Sequence, residues 1–277
     1  MNNLEKVKNF FGFFKMPFTH TIDVNDLYKS ESFEEAFTRL SFALETEKIS
    51  ILTGEPGSGK SCVLRHFANS LDSKSYKLIY IPADPDTKIS DIAKQSLSEL
   101  QMPVPHYAKT ALRIFRENII DFNNNKGIKP VLIIDEAQEL EPNVLIALKS
   151  LLNFKMDSKN YLFVILSGQK SFLNHLDLFQ LESIKRRIRI HYFMMPLTLA
   201  ETSEYIMHEL KKSGLERNIF PDDVKANIYN STKGNIAGIN NLCFNSIIVA
   251  ASKSKEFIDN GICQNVISQS IIGSFKK

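Results

Sequence analysis

The stretch that decides the fold is Gly54-Glu55-Pro56-Gly57-Ser58-Gly59-Lys60-Ser61. It carries the spacing GxxxxGK[ST] in full, between an apolar segment at residues 49–52 and a helical pattern at residues 60–71. A strand, a glycine-rich turn and a helix in that order are the setting in which this spacing marks a phosphate-binding loop. Glycines let backbone N–H groups turn inward around phosphate oxygens, and the helix adds the positive end of its dipole. The sequence therefore predicts a nucleotide site rather than a chance glycine-rich turn.

Each residue type in this loop has an expected role. Lys60 is predicted to reach the β- and γ-phosphates of a nucleoside triphosphate, and the Ser61 hydroxyl to ligate Mg²⁺. Cys62 follows at the start of the helix, where a thiolate could be stabilised, although a small buried residue is the plainer interpretation. The residues expected to bind the nucleotide are Gly54, Glu55, Pro56, Gly57, Ser58, Gly59, Lys60, Ser61 and Cys62.

A second candidate site follows the apolar residues 131–134, where the chain continues with Asp135 and Glu136. Asp135 is predicted to hold Mg²⁺, directly or through its water, and Glu136 to orient or deprotonate the attacking water. The carboxyl ends of parallel strands are where an open α/β sheet places its ligand. An acid after a strand is also a common helix N-cap, but the phosphate loop upstream favours the catalytic interpretation.

Two further segments carry candidate residues. The apolar residues 161–166 end at Ser167-Gly168-Gln169, where we expect Gln169 to contact the γ-phosphate or the lytic water, with Ser167 as the alternative. A plain polar strand end is also open at this position. The densest basic run is Lys185-Arg186-Arg187-Ile188-Arg189. In an oligomeric ATPase, Arg187 would reach the γ-phosphate of a neighbouring copy; a DNA contact and a solvated face are the alternatives.

Short apolar runs alternate with helical patterns along the first 195 residues. Further strands are predicted at residues 78–81 and 188–193, and helices after Ser32, at 89–100, at 108–122, from Pro142 and near Ser183. After Pro196 the pattern is helical only, with a capping box at Thr198 and Glu201 and helices to Lys212, from Pro221, at 235–251 and at 262–275. The sequence predicts an α/β fold with a five-stranded parallel sheet flanked by helices (residues 1–195) and a small helical lid domain (residues 196–277).

Composition excludes several classes of protein. The chain has 277 residues, of which 43% are hydrophobic and 23% charged, so a disordered or fibrous protein is not expected. The net charge is +3, which does not by itself indicate a nucleic-acid or membrane protein. Three widely spaced cysteines form no disulfide framework and fit a reducing compartment. No apolar run approaches the roughly 20 residues needed to span a bilayer, so we expect a cytoplasmic protein without membrane insertion.

Taken together, these motifs resemble those of the AAA+ ATPases, and more narrowly the ExeA/GspA-like branch, near transposition regulators of the TnsC, TniB and MuB type. The resemblance covers essentially the whole chain and implies ATP and Mg²⁺ as ligands and a ring or helical homo-oligomer. The residues that carry it are Phe10-Phe11-Gly12-Phe13, Met16-Pro17-Phe18, the phosphate loop, Ile134-Asp135-Glu136-Ala137-Gln138, Ser167-Gly168-Gln169 and Ile239-Asn240-Asn241-Leu242-Cys243.

One departure from the family pattern stands in Gly234-Asn235-Ile236-Ala237-Gly238, where the family usually has an arginine that senses the nucleotide. The missing arginine predicts slow basal hydrolysis that rises with oligomer formation. The resemblance implies an ATP-dependent helper of transposition that binds duplex DNA, through Lys88 and through Lys109 with Thr110, and recruits a transposase. The short chain, with no residues for an anchor, is expected to favour this role over a secretion or envelope-assembly ATPase. A nucleotide-dependent switch without DNA is the third alternative.

Overall fold

The structure is a computed structural model, and it describes residues 3–19 and 21–270. The end of the last predicted helix, residues 271–275, lies outside this range. The described chain forms two compact units. The sheet unit comprises Glu34–Glu55 and Lys60–Met194. The helical unit comprises the described residues up to Phe33, the loop segment Pro56–Gly59, and the described residues from Met195 onward.

The sheet unit is built on five parallel strands, as the sequence predicted. In spatial order they are β2-β3-β4-β1-β5, so the first strand in the chain lies between the fourth and the fifth. Every residue of β1 and β4 is buried, which explains why these segments read as continuous apolar runs. The strands are β1 (Ile49–Gly54), β2 (Tyr76–Pro82), β3 (Lys129–Asp135), β4 (Phe163–Gly168) and β5 (Ile190–Met194).

Helices connect these strands and cover the sheet. On one face, alternate strand residues such as Ile81, Ile134 and Leu166 pack in a single apolar core with Phe115 and Leu148 of the covering helices. The helices between Glu31 and Lys185 are α2 (Glu31–Thr46), α3 (Lys60–Ser70), α4 (Ile89–Glu99), α5 (Ala108–Lys126), α6 (Pro142–Leu151), α7 (Ser171–Leu176) and α8 (Glu182–Lys185).

The helical unit has a core of its own, in which Phe11 and Phe13 of the amino-terminal segment pack with Ile206, Phe220 and Leu242. The amino-terminal aromatic segment is therefore folded into this unit. The predicted capping box is present: Glu201 N donates to Thr198 Oγ1 at 3.2 Å, and Thr198 N donates to Glu201 Oε2 at 2.9 Å. Its helices are α1 (Asn3–Phe11), α9 (Leu199–Lys212), α10 (Asp222–Thr232), α11 (Ile236–Ser252) and α12 (Asn260–Gln269).

Two strands begin later than the apolar pattern predicts. β4 begins at Phe163 rather than residue 161, and β5 at Ile190 rather than residue 188. Before β5 the chain is still closing a helical turn, because Ile188 N donates to Lys185 O at 3.1 Å. An N–H committed to that turn is not available to a sheet ladder, so the strand starts two residues further on.

No helix in residues 3–19 or 21–270 is both long enough and apolar enough to cross a membrane.

Candidate nucleotide site

Three adjacent strands end at the same edge of the sheet. β4 lies between β1 and β3, and Gly54, Asp135 and Gly168 are the last residues of β1, β3 and β4. Thr53 pairs with Gly168 across β1 and β4, which sets the ends of these two strands side by side. Parallel strands in an open α/β sheet present a ligand site at their carboxyl ends. The predicted loop and the predicted acidic pair therefore meet at one edge.

Lys60, the first residue of α3, is only 8% exposed. Its Nζ donates to the carbonyl oxygen of Gly54 at 2.9 Å and to that of Glu55 at 3.2 Å. Burial lowers the pKa of Lys60, whereas the charges of Glu136, Asp135 and Glu55 act in the opposite direction. A buried ammonium group flanked by carboxylates is suited to an anionic ligand that also brings a cation.

The tip of the phosphate loop, Pro56–Gly59, belongs to the helical unit. Gly57 and Gly59 have φ angles of +78° and +97°, in the region that glycine adopts most readily. The Ser58 hydroxyl is buried and has no hydrogen-bond partner within residues 3–19 and 21–270. Buried hydroxyls are nearly always paired in folded proteins, so this one is a candidate donor to a ligand oxygen.

Asn235 immediately precedes α11, in the segment where the sequence resemblance led us to expect an arginine. Its Nδ2 donates to the Pro56 carbonyl at 2.7 Å, and its Oδ1 accepts from Gly238 N at 3.0 Å as the helix N-cap. Ala237 N donates to Gly57 O at 3.2 Å. A Cβ on Gly57 would lie 2.5 Å from Cβ of Ala237, so the loop tip and α11 are too close for a side chain at position 57. An amide side chain thus holds the loop backbone directly.

The two acids differ in their surroundings: Asp135 is buried, whereas Glu136 is exposed. Asp135 is 7% exposed; its Oδ2 accepts from the Tyr80 hydroxyl and its Oδ1 from Glu136 N, both at 3.1 Å. Glu136 is exposed and adopts a left-handed backbone, with φ 54° and ψ 40°. That conformation costs a non-glycine residue about 1–3 kcal/mol and tends to occur at functional positions.

Ser61 and Asp135 both line a groove of about 340 Å³ whose other walls are mainly apolar, including Leu64, Leu78 and Tyr80. A serine hydroxyl and a carboxylate are the hard oxygen ligands that Mg²⁺ prefers. Ser61 and Asp135 together fit the magnesium site that the sequence predicted.

No motif in the sequence points to Tyr80. It lies on β2, and Ile81 of that strand pairs with Ile134 of β3, so Tyr80 reaches the end of β3 from the neighbouring strand. Burial, followed by the charge of Asp135 and the hydrogen bond to it, raises the pKa of Tyr80 to about 12. A tyrosine of ordinary pKa is also protonated at physiological pH, so the phenol is a hydrogen-bond donor to Asp135 there. Only the register between the strands reveals this contact, since the two residues are far apart in the chain.

Gln169 and Ser167 occupy different places at the end of β4. Ser167 is fully buried, and its hydroxyl has no hydrogen-bond partner in the described part of the chain. Gln169 is half-buried just beyond the strand, and its backbone N–H donates to Oε1 of Gln138 at 3.0 Å. Gln138 in turn donates from Nε2 to Oε2 of Glu136 at 2.6 Å. Gln138, to which the sequence assigned no role of its own, therefore links Glu136 to the backbone of Gln169.

The basic run, residues 185–189, lies near the amino ends of the strands, opposite to the end that carries the phosphate loop. It precedes Ile190, the residue of β5 that pairs with Ser50 near the start of β1. At ~3.3 Å per residue, the length of β1 separates this edge from Gly54 by about 17 Å. Arg187 is ion-paired with Asp157 at 3.0 Å. Within one chain, the structure does not bring Arg187 to the nucleotide site.

The remaining predicted residues lie on the surface or close to it. Cys62 is half-buried, and Arg65 Nη2 lies 3.5 Å from its sulfur. Lys88 is exposed just before α4, Lys109 is exposed in the first turn of α5, and Thr110 beside it is half-buried.

Comparison with known proteins agrees with this geometry. A family model described as "AAA domain" matches residues 43–176, which contain the phosphate loop, the acidic pair and the end of β4. Residues 43–176 are thus similar to that family, and the chain has the α/β fold of P-loop NTPases. It is also 29% identical over 255 residues to the general secretion pathway protein A of Aeromonas hydrophila. That alignment covers 91% of this chain but only 46% of the relative, so the chain spans less than half of the relative's length.

Solved structures share the fold of this chain over most of its length. The Cdc6p structure from Pyrobaculum aerophilum matches with a TM-score of 0.70 and 16% identity, covering 90% of this chain and 71% of that one. The Aeropyrum pernix ORC1 protein, solved in complex with DNA, matches with a TM-score of 0.64 and 14% identity, covering 89% of this chain and 66% of that one. At these identities the likeness concerns the fold.

Proposed function

We propose that this protein is an AAA ATPase, which binds ATP with Mg²⁺ and hydrolyses it. The observation that carries the proposal is the buried Lys60 beside Asp135 and Glu136, at the edge where β1 and β3 end. Lys60 would contact the β- and γ-phosphates, and Ser61 and Asp135 would hold the metal ion. Bound Mg²⁺ would neutralise charge that develops on the phosphate oxygens. Glu136 accepts the proton of the attacking water, and Gln169 contacts the γ-phosphate or that water.

Nucleotide binding is tested most simply at Lys60. Lys60→Ala removes the ammonium group from the loop, and we expect no measurable ATP binding by calorimetry at concentrations that saturate the wild type. Lys74→Ala, at an exposed lysine just before β2, is the matched control and should bind as the wild type does. ATP binding by Lys60→Ala with wild-type affinity would contradict the proposed site.

We infer that copies of the chain assemble so that Arg187 of one acts on ATP held by the next. The support is geometric: the basic run lies about a strand length from the chain's own phosphate loop. In such an assembly the Arg187 guanidinium must leave Asp157 for the γ-phosphate, where it stabilises transition-state charge.

Mixing two inactive variants tests action between copies. Lys60→Ala retains Arg187 but lacks the nucleotide lysine, and Arg187→Ala has the reverse defect. If the arginine acts between copies, the mixture regains part of the hydrolysis that each variant lacks alone. A mixture as inactive as its components would contradict this assignment.

We further propose that the assembly forms on duplex DNA and serves as a helper of transposition that recruits a transposase. The support is the sequence resemblance to transposition regulators, together with the exposed Lys88 and Lys109 at the starts of α4 and α5. Binding is measured with ATP, ADP and a slowly hydrolysed analogue across a salt series. DNA binding that requires ATP and weakens with salt is expected. An absence of ATP-dependent binding at low salt would rule out this role.

A second role, in secretion or envelope assembly, is favoured by one observation, the 29% identity to a general secretion pathway protein. The site chemistry is common to both roles, so the fold does not separate them. The gene neighbourhood and the DNA experiment do. A transposase gene beside this one supports the first role, whereas secretion genes and no DNA binding support the second.

The residue at the start of α11 bears on how fast the protein hydrolyses ATP. Asn235, a neutral amide, stands near the position where the family has an arginine, and it holds the loop backbone at Pro56. We expect slow turnover that rises with protein concentration as copies assemble. Rapid hydrolysis by a sample shown to be monomeric would contradict this expectation.

A further inference from the structure

Gln138 lies between Glu136 and the backbone at the end of β4. We propose that Gln138 is a positioning residue, which holds the Glu136 carboxylate and ties it to the backbone of Gln169. The proposal rests on the proposed hydrolysis of ATP, because it concerns how the base for that reaction is oriented. It adds a role that neither the motif spacing nor the resemblance assigns.

The orientation of the Gln138 amide follows from its partners. Oε1 accepts a hydrogen bond from Gln169 N at 3.0 Å, and a backbone N–H can only donate. Nε2 then faces the acids, and donates to Glu136 Oε2 at 2.6 Å and to Glu139 Oε1 at 3.3 Å. The reverse orientation would set Oε1 against two carboxylates and Nε2 against an N–H. The amide is therefore fixed by the groups around it.

The local backbone explains why Gln138 can reach both groups. Glu136 turns the chain sharply at the end of β3 through its left-handed conformation. A single 3₁₀ turn, Ala137–Glu139, follows and is closed by Glu139 N donating to Glu136 O at 2.9 Å. This turn brings the Gln138 side chain back to the carboxyl end of β4, where Gly168 ends the strand.

Gly168 provides the room for this side chain. A Cβ built on Gly168 would lie 2.8 Å from Oε1 of Gln138, closer than such atoms approach in folded proteins. Its role here is to leave space. A side chain at position 168 would displace the Gln138 amide and with it the contact to Glu136.

The consequence concerns the catalytic step rather than ATP binding. Gln169 is the residue expected to contact the γ-phosphate, and its N–H is bonded to the same amide that holds Glu136. Movement of Gln169 on binding ATP would therefore be passed to the base through one side chain. An error of about 1 Å in the placement of a reacting group can cost about 10²-fold in rate.

Two substitutions distinguish the hydrogen bond that Gln138 donates to Glu136 from the one that it accepts from Gln169 N. Gln138→Glu keeps an oxygen to accept from Gln169 N but cannot donate to Glu136. In Gln138→Met the side chain has a similar length but lacks both the amide N–H donor and the amide oxygen acceptor. Gln95→Glu, at an exposed position of α4, is the control for added charge. Each variant is measured for ATP affinity, for the maximal hydrolysis rate, and, without nucleotide, for amide hydrogen exchange at Gln169.

For Gln138→Glu we expect a fall of about tenfold or more in the maximal rate, ATP affinity within about twofold of wild type, and unchanged exchange at Gln169. For Gln138→Met we expect the same loss of rate together with faster exchange at Gln169. A wild-type rate in Gln138→Glu, or wild-type exchange in Gln138→Met, would overturn the proposal. If the wild-type protein itself does not hydrolyse ATP, the proposed function fails, and the exchange measurement still decides whether the contact exists.

Discussion

At the scale of single residues, Tyr80 offers a direct test of the proposed magnesium site. Tyr80→Phe keeps the ring in the groove and removes only the hydroxyl that donates to Asp135. Groups that orient a metal ligand typically contribute about 10–100-fold to metal affinity. We expect the Mg²⁺ concentration for half-maximal hydrolysis to rise about tenfold. Tyr107→Phe, at a side chain that is 75% exposed, is the control, and an unchanged Mg²⁺ requirement in Tyr80→Phe would contradict the assigned role.

Some of these residues could be read from the sequence and others could not. Lys60, Ser61, Asp135 and Glu136 stand at fixed spacings in local motifs, so the chain order alone places them on a loop and at a strand end. Tyr80 and Gln138 depend on strand register and on the direction of a side chain, which no local pattern encodes.

At the scale of elements, the start of α11 can be tested with two substitutions at Asn235. Asn235→Ala removes both the helix cap and the contact to the Pro56 carbonyl, and loss of such a cap costs about 1 kcal/mol of stability. Asn235→Asp keeps a cap oxygen for Gly238 N but cannot donate to Pro56, and it adds a negative charge beside the loop.

We expect Asn235→Asp to unfold in urea with nearly the wild-type free energy while binding ATP more weakly, because of its charge. Asn235→Ala should lose about 1 kcal/mol of unfolding free energy. If both variants were equally destabilised, the cap would not be the source of the stability.

His191 on strand β5 is expected to make the free energy of unfolding depend on pH. Its Nε2 lies 2.8 Å from Oγ1 of Thr53, which precedes the phosphate loop. Burial, and then the charge of Arg39, lower the pKa of His191 from its ordinary value of 6.5. As the pH falls, His191 therefore takes up a proton at a higher pH in the unfolded chain than in the folded one. The free energy of unfolding then decreases as the pH falls through about 6.5.

We expect the unfolding free energy to decrease less between about pH 7.5 and pH 5.5 in His191→Gln than in the wild type. Glutamine can still bond Thr53 but does not titrate in this range. An equal decrease in both proteins would show that His191 does not carry the dependence. Urea unfolding at the two pH values provides the comparison.

Elements differ in how well the sequence predicted them. The five strands were predicted because each is an apolar run bounded by turn residues, and the sheet is parallel because helices connect them. The missed helices have weaker signals: α1 lies in a segment interpreted from its aromatic residues, and α7 has only six residues. The late start of β5 comes from turn hydrogen bonds that hydrophobicity does not report.

At the scale of the whole molecule, binding to DNA predicts a particular salt dependence. Lys88 and Lys109 are proposed to contact phosphates, so replacing both with alanine should weaken binding about equally for every DNA sequence. The slope of log affinity against log salt should fall by about one for each lysine. Lys74→Ala serves as the control. Lower affinity with an unchanged slope would show that these lysines do not contact phosphates.

The hydrolysis of bound ATP in Glu136→Gln tests the central claim most directly. This variant retains Lys60, Ser61 and Asp135 but cannot accept a proton from water. We predict that it binds ATP as tightly as the wild type and converts bound ATP to ADP about 10²–10⁴-fold more slowly in a single turnover. Conversion at the wild-type rate, with binding intact, would contradict the assignment of Glu136 as the base and with it the proposed site chemistry.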